Sequence, residues 1–277
     1  MHVLDLTESP GASARPTEDR AGSSGYLAWV IDGATDFTEE RSLPGGSNVQ
    51  WLVNFVDQRL RDIGRAEHPT GVHAVLNSLA EEARHRLVEI APEGLRNHPC
   101  CSIGVAALLP DRLELGRIGD ATLIAYRGPE VAHEVSTNFF DKREAGAVVR
   151  SRAEQQSRQE VIDDMFSRRL EYIKGAHSES VFSGHPETVL KIHSATLPLD
   201  RADSVLLCTD GFARAIADYA IFPDWRMLRR RVDEKGFNEI TSRIRQHESQ
   251  LDPTAQTPRF KNADDLAAIL VSIEREI

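Results

Sequence analysis

The sequence predicts an α+β chain, a β-sheet sandwich flanked by helices. Three observations carry that expectation. Strand-like apolar runs stand early, in the middle and at the end of the chain. Helical patterns fall in separate blocks between them. Two of the apolar runs, Leu27-Ala-Trp-Val-Ile31 and Ser204-Val-Leu-Leu-Cys208-Thr209, end in Asp-Gly, as a buried strand does when it delivers a carboxylate to the edge of a sheet before a sharp turn.

Taken in order, the beginning of the chain reads as loose, and Tyr26 to Ile31 is the first strand. From Gly45 to Asp62, Trp51, Leu52, Phe55, Val56 and Leu60 recur at helical spacing, and from Gly71 to Glu89, Val75, Leu79, Ala83 and Leu87 share one face. Two successive helices suit one side of a sheet. Ser102 to Leu109 and Arg112 to Ile118 are strands joined by the turn Pro110-Asp111, and Ala121 to Arg127 is a third, closed by Gly128-Pro129. Lys142 to Tyr172, rich in Arg, Glu and Gln, reads as a solvated helical segment. Val189 to Leu197 and Ser204 to Cys208 are strands about a turn at Asp200 to Asp203. Trp225 to Val232 and Ile240 to Gln250 read as helices, Leu251 to Asn262 as a polar linker, and Leu266 to Ile273 as the last strand. The chain has no internal repeat and no low-complexity tract.

A chain of 277 residues with 40% apolar content has material for a sizeable core, and the expectation is one domain over 1–277. The formal charge of −10, from 33 basic and 43 acidic residues, argues against a general nucleic-acid binder. Three cysteines, two of them adjacent as Cys100-Cys101, make no disulfide framework and suit a reduced cytoplasm. Met1 is followed by polar, Pro-containing sequence, and no apolar stretch approaches the ~18 residues of a spanning helix. The expectation is a soluble cytoplasmic protein with neither a membrane nor a nucleic-acid partner.

The chemistry is carried by four carboxylate motifs: Glu18-Asp19, Asp32-Gly33, Asp210-Gly211 and Asp264-Asp265. Singly, each acid would read as a helix N-cap or turn residue. Brought to one point they would repel unless a cation sat between them. Oxygen-only ligands favour Mg²⁺ or Mn²⁺ over zinc. The ten histidines are scattered without metal-ligand spacing, and the run Arg229-Arg230-Arg231 reads as a solvated helix face or a docking patch for an acidic partner.

With these motifs in order, the chain resembles the PP2C-type (PPM) metal-dependent protein phosphatases of bacteria. The resemblance rests on Arg15-Pro-Thr-Glu18-Asp19, Trp29-Val-Ile-Asp32-Gly33-Ala-Thr, Arg117-Ile-Gly119-Asp120, Leu207-Cys-Thr-Asp210-Gly211 and Ala263-Asp264-Asp265, and spans roughly Arg15 to Ile273. It implies a four-layer α-β-β-α sandwich with a dinuclear metal centre at one end of a central antiparallel β-sandwich. It also implies a variable flap at about 141–180. By the resemblance, Asp32 would bridge two ions and the Gly33 carbonyl would join the second, with Asp210 and Asp264 completing the first. Glu18 and Asp19 would stand behind them. Asp120, with Asp210, would hold a third ion, and Arg15 would clamp the substrate phosphate as a planar bidentate donor. The spacing from Arg15 to Glu18 is one residue shorter than the familiar pattern, with Arg20 as the alternative clamp.

The resemblance further implies hydrolysis of phosphoserine and phosphothreonine in proteins by direct in-line attack of a hydroxide bridging two Mn²⁺ or Mg²⁺ ions ~3.5–4 Å apart. Asp32 and Asp120 would be catalytic together with Arg15. Where many members carry a histidine after Asp-Gly, this chain has Ala34, so proton delivery falls to the Asp120 and Asp210 side. Partners would be a phosphorylated protein and its cognate kinase. A phosphorylated metabolite as substrate, or a non-catalytic phosphoprotein-binding role, are the alternatives. Retention of the carboxylates speaks against the last.

Overall fold

A computed structural model describes residues 1–11, 16–34, 42–95, 97–140, 143, 158–185, 191–250 and 263–273. In chain order the elements are β1 (His2–Ser9), β2 (Arg20–Ser24), β3 (Leu27–Gly33), α1 (Asn48–Gly64), α2 (Val72–Ile90), β4 (Cys101–Leu108), β5 (Arg112–Ile118), β6 (Thr122–Arg127) and β7 (Glu130–Val135). Then follow α3 (Arg158–Ile173), β8 (His193–Pro198), β9 (Ser204–Cys208), α4 (Asp210–Ala217), α5 (Trp225–Lys235), α6 (Phe237–Gln250) and β10 (Leu266–Ser272). The linker expected at 251–262 and the residues before 158 in the expected Lys142 to Tyr172 helix, other than Arg143, lie outside the described residues.

The strands form two five-stranded sheets, β1-β10-β9-β6-β7 and β2-β3-β4-β5-β8. Every pairing is antiparallel. The side chains of successive strand residues point to opposite faces, and in β3, β9 and β10 both faces are covered. Leu27, Trp29 and Ile31 pack with Leu52, Val56, Leu60, Leu76 and Leu79 of α1 and α2. Ala28 and Val30 join Val205, Leu207, Ala267, Ile269 and Val271 between the sheets. Leu206, Cys208, Leu266, Ala268 and Leu270 pack outward on Phe212, Leu228, Ile240 and Ile244 of α4, α5 and α6. The layers are therefore helix, sheet, sheet, helix. Each such strand reads in sequence as an unbroken apolar run because neither face meets water.

Some elements differ from the sequence expectation, each for a physical reason. The beginning of the chain is not loose, for β1 and β2 are paired strands. β1 lies at a sheet edge with Val3, Leu4 and Leu6 exposed, and a register shift between Val3 and Asp5 breaks its alternation. β2, Arg-Ala-Gly-Ser-Ser, has little strand propensity of its own. Its Gly22 lies opposite Trp29, where a Cβ would fall 2.5 Å from the indole ring. β7 is a polar edge strand, joined to β6 by the two-residue turn Gly128-Pro129 with Gly128 at φ +56.

The termini of the helices are set locally. Ser47 opens α1 with a capping box: its hydroxyl accepts from the Gln50 amide at 3.0 Å, and the Gln50 side chain accepts from the Ser47 amide at 3.2 Å. Asp224 caps α5 by accepting from the Met227 amide, and Gly236 closes that helix at φ +74. The Arg229-Arg230-Arg231 run is not wholly solvated, for Arg230 is exposed but its neighbours are engaged. Arg229 is buried against the Tyr126 ring, donates to the Ser204 hydroxyl and pairs with Asp233. Arg231 pairs with Glu239 and Glu234.

Candidate metal centre

Five of the predicted acids come from five chain connections at the same end of the sandwich. Asp19 precedes β2, Asp32 closes β3, Asp120 follows β5, Asp210 follows β9 and Asp264 precedes β10. β3 lies in one sheet and β9 in the other, so Asp32 and Asp210 meet across the sandwich, sharing a hydrogen bond. Burial first, and then the charges of Asp19, Asp210, Asp120 and Asp264, push the Asp32 carboxyl well above the usual range. Asp19 is pushed up too, by burial foremost; the Thr209 hydroxyl opposes the shift, and Asp210, Asp265 and Asp264 add to it. Burial works on Asp210 in the same sense. There the Arg214 charge, the bond with Asp32 and the Gly211 amide outweigh it and hold that carboxyl below its ordinary value.

The donor chemistry fits a hard dication. Asp19 Oδ2 is buried without a hydrogen-bond partner, a costly state for a carboxylate oxygen that no cation faces. Among the described residues, however, no three His, Cys, Asp or Glu side chains stand as a ready-made metal cluster. One reason is visible. Arg214 Nη2 lies 2.9 Å from Asp210 Oδ2 and 3.1 Å from Asp264 Oδ2, drawing both acids to itself.

Close backbone approach explains the glycines. A Cβ on Gly33 would fall 2.8 Å from both Glu18 Cβ and Val49 Cγ1. Gly119 has φ +87, and a Cβ there would lie 2.2 Å from Ser102 Oγ. That serine orients Asp120: its hydroxyl donates to Asp120 Oδ1 at 2.5 Å and accepts from the Asp120 amide at 3.2 Å. The turn is held from behind by Arg117, which donates to the Gly119 carbonyl and forms a buried bidentate pair with Glu179 at 2.9 and 3.0 Å. Glu179 belongs to the segment that follows α3. Three residues on, just past the expected flap, Phe182 bridges to Cys101 at the start of β4, so the end of that segment is tied to the sheet.

Glu18 is half-buried, and its Oε1 accepts from the Ser47 hydroxyl at 2.7 Å. Its amide donates to Asp265 Oδ2, and the Gly11 amide donates to Asp265 Oδ1, both at 2.7 Å. Arg15 lies outside the described residues. Arg20, the alternative clamp, is engaged elsewhere: it donates to the Thr17 and Asp19 carbonyls and to Asn54 Oδ1. Ala34 packs beside Cys100, Phe140, Tyr172, Ile173 and Val181, an apolar wall at the edge of the site.

Sequence reasoning missed three residues that shape this end. Ser102 and Asp265 orient other groups by hydrogen bonds that no spacing reveals, although Asp265 lies within a recognised motif. Arg214 had a signal: it stands one helical turn after Asp210, the distance at which an acid and a base meet on one face. The eight residues of α4 had not been identified as a helix.

Comparison with known proteins gives the family and the fold. The family model described as protein phosphatase 2C matches residues 13–251. The serine/threonine phosphatase PstP/Ppp of Mycobacterium tuberculosis is 15% identical, with a TM-score of 0.56 over 98% of this chain and 97% of that one. The serine/threonine phosphatase Stp1 of Staphylococcus aureus is 14% identical, with a TM-score of 0.59 over 99% and 96%. The catalytic domain of PstP in complex with two manganese ions is 16% identical, with a TM-score of 0.55 over 96% and 95%. No curated protein matches the sequence. The structural likenesses show the shared fold, and the family match over most of the chain shows its membership: this chain belongs to the protein phosphatase 2C family and is a PP2C-type protein phosphatase.

Proposed function

We propose that the acidic end of the sandwich is a divalent-metal centre that hydrolyses phosphomonoesters, with phosphoserine and phosphothreonine in proteins as substrates. The observation that carries this reading is the convergence of Asp19, Asp32, Asp120, Asp210 and Asp264 from separate connections, with burial and mutual repulsion raising Asp32 and Asp19. Asp32, Asp210 and Asp264 would hold one ion, and Asp32 with the Gly33 carbonyl a second. Asp120 with Asp210 would hold a third. Bound Mn²⁺ or Mg²⁺ supplies an acidified water and neutralises charge on the phosphoryl oxygens. The relatives described as serine/threonine phosphatases, and the two manganese ions of PstP, support the same assignment.

The chain's own residues do the positioning. Ser47 fixes Glu18 behind the centre, and Asp265 holds the Gly11 and Glu18 amides on either side of the stretch that contains Arg15, which we assign to the substrate phosphate. Ala34 has no proton to give, so we assign proton delivery to the Asp120 side, where Ser102 sets the carboxylate. We take 1–277 as one phosphatase domain. Among the described residues no helix is long and apolar enough to cross a membrane. Three buried free thiols support a reducing compartment, the cytoplasm. The partner classes are then phosphoproteins and the kinase that phosphorylates them.

Turnover of phosphopeptides by the full chain should require Mn²⁺ or Mg²⁺, vanish on chelation and return with metal. It should also exceed turnover of a panel of phosphorylated metabolites. Full activity after exhaustive chelation, with metal content checked, overturns the metal centre. Preference for a metabolite moves the substrate class, and phosphopeptide binding without turnover removes the activity.

A further inference from the structure

We propose that Arg214 is a built-in counter-ion occupying the seat between Asp210 and Asp264, so that a divalent ion enters this centre by exchange against a guanidinium. The proposal rests on the metal-centre reading above and concerns a residue which that reading does not use. Arg214 lies on α4, one turn after Asp210, and its side chain is 14% exposed. A single nitrogen, Nη2, reaches Asp210 Oδ2 at 2.9 Å and Asp264 Oδ2 at 3.1 Å, and Nε lies 3.8 Å from Asp218 Oδ2. Asp264 lies 50 residues beyond Arg214 in sequence and belongs to a different connection from Asp210. The pairing of β9 with β10 brings the two connections together, and Arg214 bridges the facing oxygens.

A guanidinium has donors only and cannot ligate a metal, so its relation to an incoming ion is competitive. Asp210 Oδ2 and Asp264 Oδ2 are turned toward Arg214, and a dication drawing on the same acids repels the guanidinium at that distance. In the proposed exchange, binding of the ion displaces Arg214 from both contacts. Two consequences follow. The metal-free protein is held together at this end by Arg214, which relieves the repulsion between Asp210 and Asp264. The metal affinity is lower than the carboxylates alone would set, so the enzyme responds to a higher range of divalent-ion supply.

The test is a calorimetric titration of Mn²⁺ into the chelator-stripped full chain, beside thermal melts with and without Mn²⁺, for the wild type, Arg214→Gln and Arg214→Lys. Arg214→Gln keeps most of the side-chain volume and a donor amide but removes the charge. It should bind Mn²⁺ about tenfold more tightly, melt lower without metal and gain more on adding it. Arg214→Lys keeps a flexible charge without the planar fork and should fall between. A residue with only a structural role would lower the melting temperature of both variants without tightening Mn²⁺ binding. Unchanged or weaker affinity in folded Arg214→Gln and Arg214→Lys overturns the proposal while leaving the metal centre standing. Absence of Mn²⁺ binding in the wild type and both variants overturns the centre, and the proposal with it.

Discussion

Two arginines near the acidic end of the sandwich sit in carboxylate company, and they sit differently. Arg117 faces one acid, Glu179, through two parallel contacts of 2.9 and 3.0 Å, and the side chains are 3% and 8% exposed. Its terminal nitrogens also reach the Gly119 and Ser136 carbonyls, while the buried Nε has no hydrogen-bond partner. Arg214 faces two acids through one nitrogen, in a place where further carboxylates crowd behind them. The first arrangement is balanced in charge and bidentate in geometry, which suits a fixed strut between the Asp120 turn and the segment after α3. The second is short of positive charge, which suits a place that takes up a cation. Ion pairs at one end of a fold can thus be sorted by stoichiometry and geometry before any ligand is seen.

The sharpest way to break the comparison is to remove charge on the crowded side. Asp32→Asn should abolish turnover, a loss of at least about a thousandfold if the residue bridges the ions. The metal-free fold should melt at the same temperature or higher, because repulsion on Asp19, Asp120, Asp210 and Asp264 falls. A pH series adds the sign. Asp32 and Asp19 have folded values above their unfolded ones, so the folded chain holds protons that the unfolded chain has released. Stability of the metal-free protein should then fall as pH climbs from about 4 towards those raised values, and Asp32→Asn should flatten that slope. Wild-type rates in the purified variant would remove Asp32 from the centre.

The balanced side should respond in the opposite way. Arg117→Ala leaves Glu179 buried without its arginine and should cost ~3–5 kcal/mol. That is a drop of about 10 °C in melting temperature for a chain of this size. Calorimetry should find nearly the same drop with and without Mn²⁺. A loss that appears only in the presence of metal would mean that Arg117 belongs to the centre rather than to its support.

The smallest expected effect separates two other arginines. Arg15→Ala should raise KM for a phosphopeptide and weaken inhibition by inorganic phosphate, a loss of ~1.5–3 kcal/mol for a charge-assisted bidentate contact. Arg20→Ala should leave KM nearly unchanged, since its guanidinium is engaged by Thr17, Asp19 and Asn54. The reverse pattern would move the clamp to Arg20.

The parts of the fold that were legible in the sequence are those where burial is two-sided. β3, β9 and β10 are apolar at nearly every position because a helix layer covers one face and the opposing sheet the other. β1, β2 and β7 escaped notice because exposed, small or polar residues carry them and their partner strands hold them in place. The site divides in the same way. Asp32 and Asp210 are announced by the apolar run before each and the glycine after it. Asp265 and Ser102 have ordinary neighbours in sequence, and their work is done by hydrogen bonds across 18 to 254 residues of chain. The Arg229-Arg230-Arg231 run misled in the other direction: a cluster of like charges looks solvated, yet Arg229 finds an aromatic face and an acid within reach.

Ser47 uses its hydroxyl twice, accepting from the Gln50 amide inside the first turn of α1 and donating to Glu18 beside the acids. Helix ends are ordinarily where opening fluctuations begin. Here an opening of that first turn releases Glu18, and any force that draws Glu18 away loosens the turn. The exchange rate of the Gln50 amide with solvent deuterium is therefore a gauge, read from the backbone of a helix, of how firmly the carboxylates behind the sheet ends are held.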